Sequence, residues 1–284
     1  MSEKIRLEVI GDPICHSLSP VLHSTVLEEL GTPYEYSAVQ VKKGELKNYL
    51  SSAIQNGVLG FNLTMPHKTD IIPLLDFIDP EVLVLGSVNT VKIENGELFG
   101  INTDGKGFIK ALENTGTLPQ GKKIVILGAG GVSETIAQTL SLAGAKKITV
   151  LNRTRDKAKA ICKKIRKTRT ADMELNSKNL RKAAKKCHIF INCTPLGMHG
   201  TDNDFEDLSF LEALPKGALV YDLIYNPEET NLLKKARELG CQTLNGLDML
   251  IFQGLIADEF FLNKTLDFGQ FEEKIKNNIK KLKK

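Results

Sequence analysis

The sequence predicts an α/β protein of two domains, the first built on a mainly parallel sheet. Three observations carry that expectation. Short apolar runs alternate with helical patterns almost throughout, as in strands joined by helical crossovers. The chain has 284 residues, enough for two cores. A glycine turn, Gly128-Ala129-Gly130-Gly131, opens a second strand-and-helix series near the middle.

In the first series Ile5–Ile10 is a strand, and a helix follows over Pro20–Leu30. Tyr34–Val41 is a second strand, followed by a helix over Gly44–Asn56. Val58–Leu63 is a third strand, and His67–Phe77 has a helical pattern. Val88–Ile93 and Leu98–Ile101 flank Asn95-Gly96, a strong type I′ hairpin signal that predicts antiparallel pairing at one sheet edge. The second series has strands at Ile124–Leu127, Ile148–Leu151, Ile189–Asn192 and Leu219–Asp222. Helices fit between them at Ser133–Ala143, Arg155–Ile165 and Asn231–Leu239, with Gly144 and Gly240 where helix C-caps are expected. The series divide between Gly105 and Gly121, and Met249–Lys284 is helical by pattern.

Composition excludes several classes. Hydrophobic residues make up 42% and charged residues 25%, ordinary for a globular protein. A net charge of +4 is too small for a nucleic-acid footprint. Lys274–Lys284 and Lys163–Arg169 are basic, and both read as solvated faces. The five cysteines, Cys15, Cys162, Cys187, Cys193 and Cys241, form no CxxC pair. Cys187, His188 and Cys193 fit no common zinc spacing, so no metal is expected. Met1–Arg6 lack the apolar run of a signal sequence, and no stretch of about eighteen apolar residues spans a membrane. Free thiols in the cytoplasm are the simplest expectation.

Lys122–Leu127 runs into Gly128-Ala129-Gly130-Gly131-Val132-Ser133, and a helix pattern follows directly. Strand, glycine turn and helix start are the context of a Rossmann-type dinucleotide site. Gly128 permits the tight turn, and Gly130 lets backbone approach a pyrophosphate. The helix start offers free N–H groups and a partial positive charge. Ser133 replaces the third glycine of the fingerprint and is small enough for close packing. About twenty residues on, an NAD site places Asp or Glu at a strand tip. Here the strand ends at Leu151 and runs into Asn152-Arg153-Thr154-Arg155-Asp156-Lys157. With no acid at that tip and an arginine beside it, a 2′-phosphate and hence NADP is expected.

Polar clusters follow the strands of the first half: Gly11–Pro20, Asn62–Lys68, Ser87–Thr90 and Asn102–Gly105. Hydroxyls and amides converging beyond strand ends suit a small polyhydroxylated acid. Over essentially its whole length the chain resembles the shikimate dehydrogenase family. The matching segments, in family order, are GDPICHSLSP, NLTMPHK, SVNT, NTDG, GAGG, NRT, NCTPLGM, YDLIYNP and GLDMLIFQG. The resemblance implies a substrate domain over 1–105, completed by C-terminal helices over 247–284, and a Rossmann-type NADP domain over 106–246. It implies NADPH-dependent reduction of 3-dehydroshikimate to shikimate in aromatic amino acid biosynthesis. Lys68 and Asp104 would be the catalytic pair, and Ser17 and Ser19 would bind the substrate carboxylate. Asn62, Thr64, Asn89 and Gln253 would hold its hydroxyls and ring oxygens, and Tyr225, also at the substrate, would assist the catalytic pair. Gly128, Ala129, Gly130, Gly131 and Val132 would cradle the cofactor, and Asn152, Arg153, Thr154 and Lys157 its adenosine phosphate. Thr194, Leu223 and Gly246 would line its nicotinamide end. The expected partner is a small molecule, not nucleic acid or membrane, with a homodimer left open.

Plainer readings exist for individual residues. Ser17 and Ser19 could cap the helix entering at Pro20, and Asp104 could cap the helix after it. Asn62 and Asn89 could be turn residues, and Gln253 a helix-surface residue. Two other functions compete: a quinate/shikimate dehydrogenase of dual specificity, and a nucleotide-binding sensor that has lost catalysis.

Overall fold

The computed structural model describes residues 4–201 and 203–282, and the chain divides into two compact units, Met1–Gly107 with Ile251–Lys284, and Phe108–Leu250. The first runs β1 (Ile5–Gly11), α1 (Ser19–Glu29), β2 (Tyr34–Gln40), α2 (Leu46–Gln55), β3 (Gly60–Leu63), β4 (Phe77–Ile78), α3 (Pro80–Leu85), β5 (Thr90–Glu94) and β6 (Glu97–Ile101). Helix α4 (Asp104–Asn114) leads into the second unit. There the order is β7 (Lys123–Leu127), α5 (Gly131–Leu142), β8 (Lys147–Asn152), α6 (Arg155–Lys164), β9 (Arg169–Glu174), α7 (Ser177–Ala184), β10 (Ile189–Asn192), β11 (Leu219–Asp222), α8 (Asn231–Glu238) and β12 (Gln242–Leu244). Helices α9 (Leu247–Leu262) and α10 (Phe268–Leu282) carry the chain back to the first unit.

The first unit holds a six-stranded sheet in the order β2-β1-β3-β5-β6-β4. All its strands run one way except β5, which is antiparallel to β3 and β6. The hairpin forms at Asn95-Gly96, with φ of 53° and 82°, the left-handed pair a type I′ turn demands. It lies inside the sheet rather than at its edge, because the two-residue strand β4 pairs beyond it. That placement matters for the site. A parallel strand β3 ends where β5 begins and β6 ends, so Asn62 pairs with Thr90, and Thr90 with Ile101.

One face of this sheet packs Ile10, Phe61, Leu63 and Val91 with Leu46 and Leu50 of α2. The other packs Leu7 with Leu27 of α1 and Phe261 of α9. Gly60 lets α9 lie close, since a Cβ there would sit 2.6 Å from the Phe261 ring.

The helix expected over His67–Phe77 does not form. Residues 65–71 are successive turns, and only Ile72–Leu74 make a short 3₁₀ turn. Pro73 explains it: a proline inside a helix removes one N–H and clashes with the carbonyl four residues back. The predicted C-terminal helix is two helices, broken after Leu262 where Asn263 takes φ of 51°.

The second unit is an all-parallel sheet in the order β12-β11-β10-β7-β8-β9. Counted from β7, this is the 3-2-1-4-5-6 order of a doubly wound dinucleotide fold, with its reversal between β7 and β10. Its central strands β7, β10 and β11 are apolar on both faces, as fully covered parallel strands must be: Ile124–Leu127, Ile189–Ile191 and Leu219–Tyr221 are all buried. Gly144 and Gly240 end α5 and α8 with φ of 80° and 77°. Among the described residues no helix is long and apolar enough to cross a membrane.

Candidate functional site

In the first unit the polar segments beyond the strand ends meet in one hydrogen-bonded cluster. Lys68 Nζ lies 2.7 Å from Asp104 Oδ2. The other carboxylate oxygen, Oδ1, accepts from Asn89 Nδ2 at 2.9 Å. The same amide reaches Thr103 Oγ1 at 2.8 Å and Gln253 Oε1 at 3.2 Å. Asn89 Oδ1 accepts the Thr103 N–H at 2.8 Å and the Thr90 hydroxyl at 3.1 Å. Asn62 Nδ2 donates to Thr90 Oγ1 at 3.1 Å, and Asn62 Oδ1 accepts the Tyr36 phenol at 2.8 Å. Lys68, Asp104, Asn89, Gln253 and Asn62 are thus one connected set.

Local structure places each of them. With no helix beneath it, Lys68 is held from two sides. Buried His67 sets its Nε2 2.7 Å from the Val41 carbonyl, and the Val88 N–H donates to the Lys68 carbonyl at 2.8 Å. Asp104 is not the cap of α4. Asn102 Oδ1 takes the Gly105 N–H, which leaves both Asp104 oxygens for side chains. Gln253 is buried, not on a helix surface, and α9 comes near enough because Gly107 faces it: a Cβ there would lie 2.6 Å from the Gln253 backbone nitrogen. Asn62 lies within β3 and Asn89 just before β5, so neither is a turn residue.

Ser17 and Ser19 sit at the start of α1. The N-cap position falls on Leu18, and no side chain caps the helix. Ser17 Oγ accepts the Ser19 N–H at 3.3 Å. Thr64 follows β3, its methyl packed where a Cβ on Gly11 would fall.

In the second unit Gly128 ends β7 with φ of 104°, and a Cβ there would meet the Cys193 carbonyl at 3.0 Å. Gly130 is the N-cap of α5, its N–H given to Ser133 Oγ at 3.2 Å. Ser133 is fully buried, so the serine in place of the third glycine fits the helix–strand contact. Ala129 is half-buried and Gly131 and Val132 are exposed; Cβ atoms at Gly130 and Gly131 would meet only open space. Beyond β8, Asn152 Nδ2 donates to the Thr154 carbonyl at 2.9 Å, and Thr154 is the N-cap of α6 with no side-chain cap bond. Arg155 pairs with Asp172 at 2.7 Å. Arg153 and Lys157 are exposed, with no ionic partner among the described residues.

Thr194 is fixed from below. Asn192 Oδ1 accepts both its N–H at 3.0 Å and its hydroxyl at 2.6 Å. Asn192 Nδ2 in turn donates to Asp222 Oδ1 at 3.0 Å, and Thr230 donates to Asp222 Oδ2 at 2.7 Å. Leu223 and Gly246 touch through backbone: a Cβ on Gly246 would overlap the Leu223 carbonyl, so glycine is required there. Tyr225, beyond β11, is part-buried, and burial raises its phenol. Asn192 and Asp222 carry no role in the sequence reading, although both end strands inside the quoted NCTPLGM and YDLIYNP segments. Tyr36, Thr90 and Thr103 were missed likewise.

Burial pushes Asp222 up to about 6, against the hydrogen bonds from Thr230, Ile224 and Asn192 that lower it. Between about pH 4 and 6 the folded carboxyl holds a proton that the unfolded one has lost. The folded state binds more protons there, so this residue's contribution to stability falls as pH rises through that window. The total is about 3 kcal/mol. Asp222→Asn has no such titration. The stability of wild type minus that of Asp222→Asn, from urea unfolding at pH 4 to 7, should therefore drop by about that amount; other buried carboxyls cancel. A flat difference would show that Asp222 stays ionised throughout.

Comparisons with known proteins follow the same division. Residues 9–91 match the family model described as shikimate dehydrogenase substrate binding domain, and residues 110–199 match shikimate / quinate 5-dehydrogenase. A shikimate dehydrogenase (NADP(+)) of Alkaliphilus metalliredigens is 44% identical over 253 residues, 88% of each chain. A solved shikimate 5-dehydrogenase of Listeria monocytogenes, in complex with shikimate and NAD, superposes with a TM-score of 0.87 at 34% identity, covering 96% of both chains. A shikimate dehydrogenase in complex with NADP+ gives 0.86 at 35% identity, over 98% of this chain and 97% of that one. With this identity over nearly its whole length and a closely superposing fold, the chain belongs to the shikimate dehydrogenase family.

Proposed function

We propose that this chain is an NADP-dependent shikimate dehydrogenase, which reversibly reduces 3-dehydroshikimate to shikimate with NADPH in aromatic amino acid biosynthesis. The observation that carries the reading is the Lys68–Asp104 pair at 2.7 Å, joined through Asn89 to Gln253. An intact pair also sets the reading apart from a sensor that has lost catalysis.

The residues fit a dinucleotide phosphate. Open space beside Gly130 and Gly131 leaves the α5 amides accessible, and Arg153, Thr154 and Lys157 offer cationic and hydroxyl donors where an NAD site would hold an acid. Asn152, Gly128, Ala129 and Val132 would complete that cradle, with Thr194, Leu223 and Gly246 at the nicotinamide end. NADPH supplies the hydride when bound.

The chain's own residues supply the rest. As a carbonyl is reduced, charge grows on its oxygen. The Lys68 ammonium is the donor to stabilise that charge and deliver the proton, giving the hydroxyl. Asp104 holds Lys68 in place, and Asn89 holds Asp104. Asn62, Thr64, Asn89 and Gln253 supply donors and acceptors for hydroxyls, Tyr225 assists, and Ser17 and Ser19 receive the carboxylate. The reading includes a cytoplasmic enzyme, and gel filtration decides between a monomer and a homodimer.

Oxidation of NADPH in the presence of 3-dehydroshikimate tests the reading directly, with quinate and NAD as the comparison arms. Absence of turnover on shikimate or its ketone would overturn it. Ser17→Ala should raise the KM for shikimate by roughly tenfold, the loss of one hydrogen bond to a charged group. The KM for NADPH should not move. Lost fold stability with a normal substrate KM would make Ser17 purely structural.

A further inference from the structure

His23 and Asp258 are fully buried and take no part in the chemistry above. His23 Nδ1 lies 2.6 Å from Asp258 Oδ1, across 235 residues of sequence. Burial raises the Asp258 carboxyl against the pull of His23, and one proton is shared across this short contact between Nδ1 and Oδ1. His23 Nε2 and Asp258 Oδ2 have no hydrogen-bond partner among the described residues. A half-satisfied polar pair in a core is a poor source of stability, since apolar residues of similar volume avoid the desolvation. Stability therefore does not explain it.

Its position does. His23 lies one helical turn beyond Ser19 on α1, and Asp258 lies on α9, the helix that carries Gln253. The two helices touch at Gly254, where a Cβ would fall 2.5 Å from the Leu22 side chain. The His23 ring stacks on Tyr36 with centroids 4.5 Å apart and planes 10° from parallel. Tyr36 in turn donates to Asn62 Oδ1 at 2.8 Å. Burial, with the Asp258 charge, raises the Tyr36 phenol well above its ordinary range, so it stays a donor.

We propose that His23 and Asp258 are a positioning dyad: they set α1, which begins at Ser19, in register with α9 and orient Tyr36, which holds Asn62 for the substrate. The proposal rests on the functional reading above, which makes Ser17 and Ser19 the carboxylate donors. The dyad acts only through residues that bind substrate, so its loss is uniform binding energy and falls on KM rather than kcat.

The test compares His23→Leu, which removes the donor at similar bulk, with His23→Asn, whose Nδ2 can replace Nδ1. His23→Leu should raise the shikimate KM about tenfold, with kcat and the NADP+ KM within about twofold of wild type. His23→Asn should restore most of the loss. Tyr36→Phe removes only the hydroxyl, and should raise the same KM; it decides the matter if His23→Leu does not fold. Hydrogen–deuterium exchange of the segment Ser17–Leu22, in the protein without ligands, gives a reading independent of substrate. It should quicken in His23→Leu and not in His23→Asn. An inactive wild type would remove the shikimate reading, while the exchange pattern would still sustain or overturn the dyad. Unchanged KM and exchange in His23→Leu, or equal losses in both His23 variants, overturn it.

Discussion

Lys68→Ala should lower kcat by about 10²–10⁴-fold, the usual cost of losing a group that transfers a proton at the reacting centre. Substrate KM should change far less. Lys68 reaches only one oxygen of Asp104, and Asn89 still holds the other. The cluster therefore keeps most of its hydrogen bonds when the ammonium is removed. Asp104→Asn keeps the shape of the site but removes the charge that orients Lys68. Because each acts through the other, the double variant should be little worse than the worse single one. The measurement is steady-state kinetics of both single variants and the double one, with circular dichroism as the folding control. A Lys68→Ala enzyme with near-normal kcat would take lysine out of the chemical step. Additive losses would make the two residues independent.

The sequence reading located Lys68 by motif and misjudged its support. The segment His67–Phe77 has a helical pattern in the sequence, but Pro73 lies within it and the backbone instead turns repeatedly. What fixes Lys68 is long-range: the Val41 carbonyl on His67 and the Val88 N–H on Lys68. Neither has a local signal. Central strands were legible because burial on both faces leaves unbroken apolar runs, as in β7, β10 and β11. Strand β9 was not. It pairs only with β8, and Arg169, Asp172 and Glu174 give it the composition of a loop. Helix α7 buries only Leu180 and Ala184, too few for a period to show. Strand β4 has two residues.

The candidate site was legible where strand ends carry hydroxyls and amides in short motifs, and illegible where the partner is distant. Thr90 and Thr103 stand beside predicted residues, in SVNT and NTDG, yet their hydrogen bonds to Asn62 and Asn89 follow from register. Tyr36 lies mid-strand with nothing to mark it. The return of the C-terminal helices to the first domain was implied by the family resemblance, but nothing local to His23 or Asp258 marks them as a pair across 235 residues.

Arg153→Ala should weaken NADPH binding by roughly ten- to a hundredfold, the loss of charge-assisted hydrogen bonds worth about 1.5–3 kcal/mol. The expectation is narrower than the run of basic residues after β8 first allows. Arg155 is committed to Asp172 at 2.7 Å, so it is not the free guanidinium of that segment. Arg153 is exposed just beyond the strand tip, with Thr154 and Lys157 beside it. No carboxylate ends β8 to accept from a ribose 2′-hydroxyl, and a guanidinium beside a bare strand tip matches a phosphate dianion. Exposure puts the effect near the lower end of the range and makes it fall with added salt. The KM for NADH should barely change, because NADH has no 2′-phosphate for Arg153 to meet. kcat with saturating NADPH should hold, since the contact is remote from the reacting carbon. The deciding measurement is the KM for each cofactor in wild type and Arg153→Ala at two salt concentrations. Equal losses with NADPH and NADH would move Arg153 from the 2′-phosphate to the adenine ring, where a guanidinium stacks on either cofactor.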